Sequence, residues 1–292
     1  MSTQAPLRPL GQTALQVGPI AYGLWRFVGS DVAAGMNLID VAAVYGLDWG
    51  GQAFGESEDL LGRVLAETPG LRARMVLATK FGIIPGIPYD SGAEAVIASC
   101  EASLKRLRTD VIDLFQVHRP DVLTHPEELA HALARLRKDG KIREIGVSNY
   151  TVPQTRALLR YLDRPLATLQ PEFSAIAVEP AFDGVLDLAM EARMTSLAWL
   201  PLGGGRLADS VDAADPATRR VATRLDELAR AHGTTRSAVA LAFVMRHPSR
   251  PMPILGTQNP ARIAAATDAL KINLSRAEWY SLVVAARGVP MP

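Results

Sequence analysis

Eight short apolar runs alternating with helix-patterned stretches constrain this 292-residue chain more than any other feature. The first run, PIAYGLW, ends near Gly23, and the others fall at about 36–40, 74–79, 111–117, 142–147, 166–170, 195–199 and 252–255. Between and after them, helical spacing of apolar residues predicts helices at about 53–65, 91–107, 126–138, 153–162, 180–192, a pair over 217–246, and 259–270. The runs are too apolar to leave one face wet, which is the pattern of parallel strands covered by helices on both sides. The expected fold class is therefore α/β, a (β/α)8 TIM barrel formed by residues 1–292 as a single domain. In such a barrel the functional groups stand at the C-terminal ends of the strands.

Three segments fall outside the rhythm. Residues 6–17, with a turn signal at Gly11 and Gln12, read as a hairpin that plugs one end of the barrel. Residues 275–287 read as an amphipathic helix lying across the outside. Only about a dozen residues separate Gly23 from Met36, fewer than a parallel crossover with a full helix takes, so the first outer helix is expected to be shortened or missing, with a turn at most over 31–34.

The formal net charge of +1, with Lys and Arg scattered among acids, gives no basis for binding nucleic acid, and a small-molecule partner is expected. The single cysteine, Cys100, cannot close an internal disulfide and sits on what reads as a buried helix face. With no secretory leader and no apolar run near the roughly 20 residues of a membrane span, the reading is a soluble cytoplasmic protein, a monomer or weak homo-oligomer.

Chemistry enters where the runs stop. The stretch MNLIDVAAVYG presents Asp40 and then Tyr45, MVLAT ends in Lys80, VIDLFQV ends in His118, and REIGV ends in Ser148 and Asn149. Taken singly, Asp40 could cap a turn, Lys80 could be a solvated charge, His118 could satisfy a carbonyl and Tyr45 could be a rim aromatic. In a barrel, however, Asp40, Lys80 and His118 leave three neighbouring strands and converge with Tyr45 on one mouth. Together they suit proton donation to a carbonyl. A free phenol, with a pKa near 10, is a poorly matched acid at neutral pH, and an adjacent ammonium favours its ionised form. Lowering it by two to three units takes roughly 3 to 4 kcal/mol, about what a unit charge at ~4 Å supplies at an effective dielectric near 20. Lys80 is the candidate activator, Asp40 would hold Lys80 protonated and in place, and His118 could bond the substrate oxygen or relay the proton.

The segments GLWRF, MNLIDVAAVYG, LATKFG, DVIDLFQVHRPD, REIGVSNY, AWLPLGGGRL and ILGTQNPARI resemble the successive motifs of the aldo-keto reductases, in order along almost the whole chain. The resemblance implies a barrel that binds an extended nicotinamide dinucleotide and reduces aldehydes or ketones, with Asp40, Tyr45, Lys80 and His118 as the catalytic tetrad and Tyr45 as the general acid. It also implies that Ser148, Asn149 and Gln170 hold the nicotinamide carboxamide and that Trp199 lies beneath the nicotinamide ring. Leu202, Gly203 and Gly205 would follow the pyrophosphate. Gly23 and Trp25 would lie beside the cofactor, and Gly256, Thr257, Gln258 and Arg262 at its adenosine end.

Two departures stand out: the short connection after the first strand, and Gly256 where several members of the family carry a lysine for the 2′-phosphate. The resulting expectation is NADP(H) preferred, NAD(H) possible, and a small carbonyl substrate in an open pocket walled by Trp25, Phe27, Tyr45 and Trp49. The alternative is a cofactor-binding regulatory or scaffolding barrel without significant turnover. A metal-dependent barrel is a further rival, but one acid and one histidine near each other are too few ligands.

Overall fold

The structure, a computed structural model, describes residues 6–24, 36–47, 53–209 and 215–292. The chain opens on a hairpin of β1 (Arg8–Pro9) and β2 (Gln16–Val17), followed by β3 (Ala21–Gly23) and β4 (Leu38–Asp40). Then come α1 (Glu56–Glu67), β5 (Val76–Phe81), a second hairpin of β6 (Ile83–Ile84) and β7 (Ile87–Tyr89), α2 (Ala93–Leu107), β8 (Ile112–Val117) and α3 (Pro126–Lys138). The alternation continues through β9 (Ile142–Ser148), α4 (Val152–Leu159), β10 (Thr168–Gln170), α5 (Val185–Glu191) and β11 (Thr195–Ala198). It ends with α6 (Pro216–Ala231), α7 (Arg236–Arg246), β12 (Met252–Leu255), α8 (Pro260–Ala265) and α9 (Arg276–Arg287).

The strands β3, β4, β5, β8, β9, β10, β11 and β12 pair in that order, each parallel to its neighbour, and β12 returns to β3 to close the barrel. The period of two along each strand sorts residues between inside and outside. In β5, Val76 and Ala78 point into the barrel with Leu38 and Leu114, while Leu77 and Phe81 join the layer under the helices, where Phe81 stacks on Phe115 at 4.3 Å. The first hairpin closes the lower end as expected: Leu10 and Val17 complete the inner apolar cluster, and the Gly11 amide donates to Thr195 Oγ1 at 2.8 Å. The last helix, α9, packs on α6 across the outside, with Trp279 stacked on Phe243 of α7 at 4.9 Å and its indole N–H donating to the Phe243 carbonyl at 3.1 Å.

The structure corrects the sequence reading in three places. The second hairpin went unread, although Pro85-Gly86 between two isoleucines is a turn signal. The helix expected at 180–192 is a short 3-10 turn, Glu179–Ala181, followed by α5, because Gly184 takes φ 87° between them. The helix expected at 259–270 is α only to Ala265 and continues as 3-10 over Ala266–Lys271. The expected shortening of the first outer helix, and Trp25, Phe27 and Trp49, lie outside the described residues.

Cys100 is buried in α2, and burial, with Glu101 beside it, pushes its thiol up to about 12. No helix among the described residues is long and apolar enough to cross a membrane.

Candidate active site

Above the apolar layers of the barrel interior, at the C-terminal ends of the strands, the lining becomes polar. Asp40 ends β4 and Lys80 lies in β5, both almost wholly buried at 3% and 1% exposure. Past β4 the chain keeps to β5 for three more residues, the amides of Val41 and Ala43 donating to the carbonyls of Ala78 and Lys80, and then turns. That turn carries Tyr45 back over the Lys80 side chain, and the Ser57 amide at the start of α1 donates to the Tyr45 carbonyl. His118 directly follows β8, its amide extending the ladder to the Phe81 carbonyl at 2.9 Å.

Four of the predicted residues therefore meet. Lys80 Nζ donates to Asp40 Oδ2 at 2.5 Å, to the Val41 carbonyl at 3.1 Å and to the Tyr45 hydroxyl at 3.1 Å. The His118 ring stands edge-on to the Tyr45 ring, with centroids 5.8 Å apart and planes at 81°. Burial alone would lower the Lys80 value, but Asp40 and Tyr45 outweigh it and raise the lysine above its ordinary value. His118 goes the other way: burial first, then Lys80 and Arg119, hold the imidazole well below its ordinary value, so it is neutral at physiological pH.

A second group adjoins the first. Asn149, held at φ 59°, donates to the His118 carbonyl at 3.1 Å and to Ser148 Oγ at 2.8 Å, and its Oδ1 accepts from Trp199 Nε1 at 3.0 Å. Ser148 Oγ donates to the Gln170 carbonyl at 3.0 Å, and Gln170 Nε2 reaches Asp40 Oδ1 at 3.3 Å. Next along the mouth, Gly203, Gly204 and Gly205 all have positive φ in a 3-10 turn, a backbone path that β-carbons would disfavour. Gly256, Thr257, Gln258 and Arg262 follow β12 at the surface. The guanidinium of Arg262 has no hydrogen bond or ion pair among the described residues. Gly23 has a packing reason in addition to any ligand: a β-carbon there would stand 2.8 Å from Ile254 Cγ2 of β12.

Some participants escaped the sequence reading. Gln116 of β8 donates from Nε2 to Asp40 Oδ1 at 3.1 Å, and its Oε1 accepts from Thr168 Oγ1 at 3.0 Å. The available signal was a lone amide inside the apolar run VIDLFQV. Arg119 lies over the Trp199 ring at 5.7 Å, and Glu172 is bridged to Trp199 by backbone pairing. Burial raises the Glu172 carboxyl against the opposing pull of Arg206 and Arg119. A groove of about 1100 Å³, lined by Leu15, Arg137, Arg143 and Arg164 among others, lies at the other end of the barrel, away from this cluster.

A closed parallel barrel with a buried lysine and carboxylate and a half-buried phenol at its mouth defines the class to which the comparisons point. The family model described as "Aldo/keto reductase family" matches residues 26–285. The chain is 45% identical over 298 residues to a 6-dehydroglucose reductase of Novosphingobium aromaticivorans, covering 98% of this chain and 97% of that one. It is 34% identical to a 6-dehydroglucose reductase of Agrobacterium fabrum, over 94% and 96% of the two chains. Among solved structures, the glycerol dehydrogenase of Gluconobacter oxydans superposes with a TM-score of 0.81 at 28% identity, covering 100% of this chain and 98% of that one. The chain belongs to the aldo/keto reductase family and is an oxidoreductase.

Proposed function

We propose that this protein reduces a sugar aldehyde, 6-dehydroglucose or a close analogue, to the alcohol with NADPH, and that Tyr45 is the proton donor. The observation that carries the chemistry is the Lys80 ammonium, 2.5 Å from Asp40 and 3.1 Å from the Tyr45 hydroxyl, inside a nearly dry layer of the barrel. An ammonium so placed favours loss of the phenol's proton, and in a dry site its influence is larger than in water. Asp40 keeps Lys80 charged and aimed. His118, neutral and packed against Tyr45, is free to hydrogen-bond a carbonyl oxygen without competing for the proton.

The residues around this centre fit a nicotinamide dinucleotide. Ser148, Asn149 and Gln170 offer an amide-and-hydroxyl edge, Trp199 an aromatic face, and the glycines at 203–205 a backbone that a pyrophosphate can approach. When bound, the nicotinamide supplies the hydride that the carbonyl carbon accepts. The exposed guanidinium of Arg262 suits a 2′-phosphate, and one charge-assisted contact, worth about 1.5 to 3 kcal/mol, corresponds to roughly ten- to a hundred-fold preference for NADPH over NADH. The substrate reading is supported by the two relatives named as 6-dehydroglucose reductases and by the charged groups beside Trp199, Arg119 and Glu172, which suit a hydroxyl-rich molecule better than an apolar one.

The test is NADPH oxidation with 6-dehydroglucose and, as an activated reference aldehyde, 4-nitrobenzaldehyde. Turnover at the buffer rate with both would remove the enzymatic reading and leave a cofactor-binding barrel. Turnover of the reference alone would remove the sugar substrate. Equal use of NADH, or a preference for NADPH that survives Arg262→Ala, would displace the phosphate site.

A further inference from the structure

Four residues from neighbouring strands lie level with one another inside the barrel. Lys80 of β5 pairs in register with Gln116 of β8, Gln116 with Gly146 of β9, and Gly146 with Thr168 of β10. Gly146 makes the layer possible. A β-carbon at that position would stand 2.0 Å from Thr168 Oγ1 and 3.0 Å from Gln116 Cγ, so only a residue without one lets the hydroxyl and the amide meet across it. Thr168 Oγ1 donates to Gln116 Oε1 at 3.0 Å, and Gln116 Nε2 donates to Asp40 Oδ1 at 3.1 Å. The other oxygen of Asp40 receives Lys80. All of these side chains are buried.

The chain of bonds has a direction. A carboxylate oxygen accepts and cannot donate, so the nitrogen end of the Gln116 amide must face Asp40 and its oxygen end must face the threonine hydroxyl. Thr168 thereby clamps the amide in the one orientation that serves Asp40. Gln170 also reaches Asp40 Oδ1, at 3.3 Å, but its oxygen end is within reach of Ser148 at the rim, and in the proposed function its amide turns to the cofactor. Among the described residues the Gln116 side chain has no hydrogen-bond partner other than Asp40 and Thr168.

We infer that Gln116, clamped by Thr168 across the space left by Gly146, is the positioning residue that fixes the Asp40 carboxylate and through it holds Lys80 against Tyr45. The inference rests on the reading of Lys80 and Tyr45 as the proton-transfer pair. Among the described residues the hydrogen bonds join Gln116 to Tyr45 through Asp40 and Lys80, so its effect reaches the phenol through them. Without it Asp40 Oδ1 loses its best-held donor, the carboxylate is less constrained about its bond to Lys80, and the ammonium spends less time at the phenol.

The test is the titration of the Tyr45 phenol, followed at Cζ in protein labelled with ¹³C-tyrosine and assigned by its absence in Tyr45→Phe. Gln116→Met keeps the length of the side chain and removes both its donor and its acceptor. The Tyr45 midpoint is expected to rise by about one unit, a tenfold gain in proton affinity. In parallel, kcat for aldehyde reduction falls about tenfold with KM for the aldehyde little changed. Thr168→Val, which keeps the shape of the threonine and removes only the clamping hydroxyl, moves the midpoint the same way by less. It decides the matter if Gln116→Met does not fold. A midpoint identical to wild type in the folded variants would show that Gln116 merely fills space and would overturn the inference. Absence of wild-type turnover would instead remove the proposed function, with the titration still reporting whether Gln116 governs the Lys80–Tyr45 contact.

Discussion

Replacing Asp40 by asparagine would leave Lys80 in place and remove the charge that makes its burial tolerable. Lys80 is 1% exposed, and among the described residues its hydrogen-bond partners other than Asp40 are the Val41 carbonyl and the Tyr45 hydroxyl, both at 3.1 Å. Breaking one side of a buried ion pair costs about 3–5 kcal/mol, because the partner charge stays desolvated. That is a large share of the roughly 5–15 kcal/mol by which a domain is stable.

The pH dependence gives the prediction its edge. In the wild type the folded state holds the Lys80 proton more tightly than the unfolded chain, whose lysine value is 10.5, so the stability from this group is complete below that pH and drains away only above it. In Asp40→Asn the larger of the two attractions that outweighed burial is gone, the weaker one from Tyr45 remains, and burial then sets the direction. The folded value falls below the unfolded one, and the unfolded chain becomes the better proton binder. Stability of the variant is therefore depressed at neutral pH and recovers as the pH rises toward the unfolded value. The gap between wild type and variant should be widest near neutrality and should narrow by about pH 10, a difference readable from denaturant unfolding at the two pH values. The double variant Asp40→Asn/Lys80→Met, which has no charge left to bury, should regain much of the loss. A gap below about 1 kcal/mol at neutral pH, or one that stays the same at high pH, would refute the claim that Asp40 is what keeps Lys80 charged inside the barrel.

Three further outcomes follow from the same geometry. Tyr45→Phe keeps the ring against His118 and removes the hydroxyl, so kcat should fall by about 10² to 10⁴ while NADPH affinity, measured by fluorescence titration, stays within a few-fold; retention of more than a tenth of wild-type turnover would exclude Tyr45 as the acid. Because burial, Lys80 and Arg119 hold His118 neutral, its ring resonances should stay flat through the ordinary histidine value of 6.5, and a titration centred there would contradict the site geometry. At the other end of the barrel, buried Asp113 accepts from the Leu77 amide at 2.8 Å and pairs with Arg72 at 2.8 Å and Arg143 at 3.2 Å. Water can take up much of what the exposed Arg143 loses. Asp113→Ala should therefore cost about 3 kcal/mol of unfolding free energy, with kcat unaffected at temperatures where the protein stays folded.

The barrel was legible in the sequence because parallel strands covered on both sides leave continuous apolar runs, and most of these runs in this chain end at a polar residue or a glycine. The same rule hid what breaks it. The helix read at 180–192 has unbroken apolar spacing, but Gly184 turns left-handed and starts α5 afresh. The hairpin of β6 and β7 is so short that its two strands look like an ordinary loop, and only Pro85-Gly86 distinguishes it. Asp40, Tyr45, Lys80 and His118 could be read because each sits where a run stops, a position at which a polar side chain is conspicuous.

Gln116, Thr168 and Gly146 could not be read in this way, since each lies inside its strand and nothing in its own segment marks it as one of a set. What joins them is the stagger of neighbouring strands, which sets Lys80 level with Gln116, Gly146 and Thr168. The stagger also divides the barrel interior by height. Below, Leu38, Val76, Ala78, Leu114 and Leu197 fill it with apolar volume sealed by Leu10 and Val17 of the hairpin. Two residues further along β4, β5 and β8, Asp40, Lys80 and Gln116, together with Ser148 of β9 and Thr168 and Gln170 of β10, fill it with hydrogen bonds. A single buried ammonium would be intolerable in the lower layer. In the upper one it has a carboxylate whose second oxygen is held by amides, so the residues that make Lys80 affordable to the fold are the same ones that keep its charge at the phenol. On the proposed reading of Tyr45, stability and proton transfer would depend on one network, and a substitution in it should disturb both.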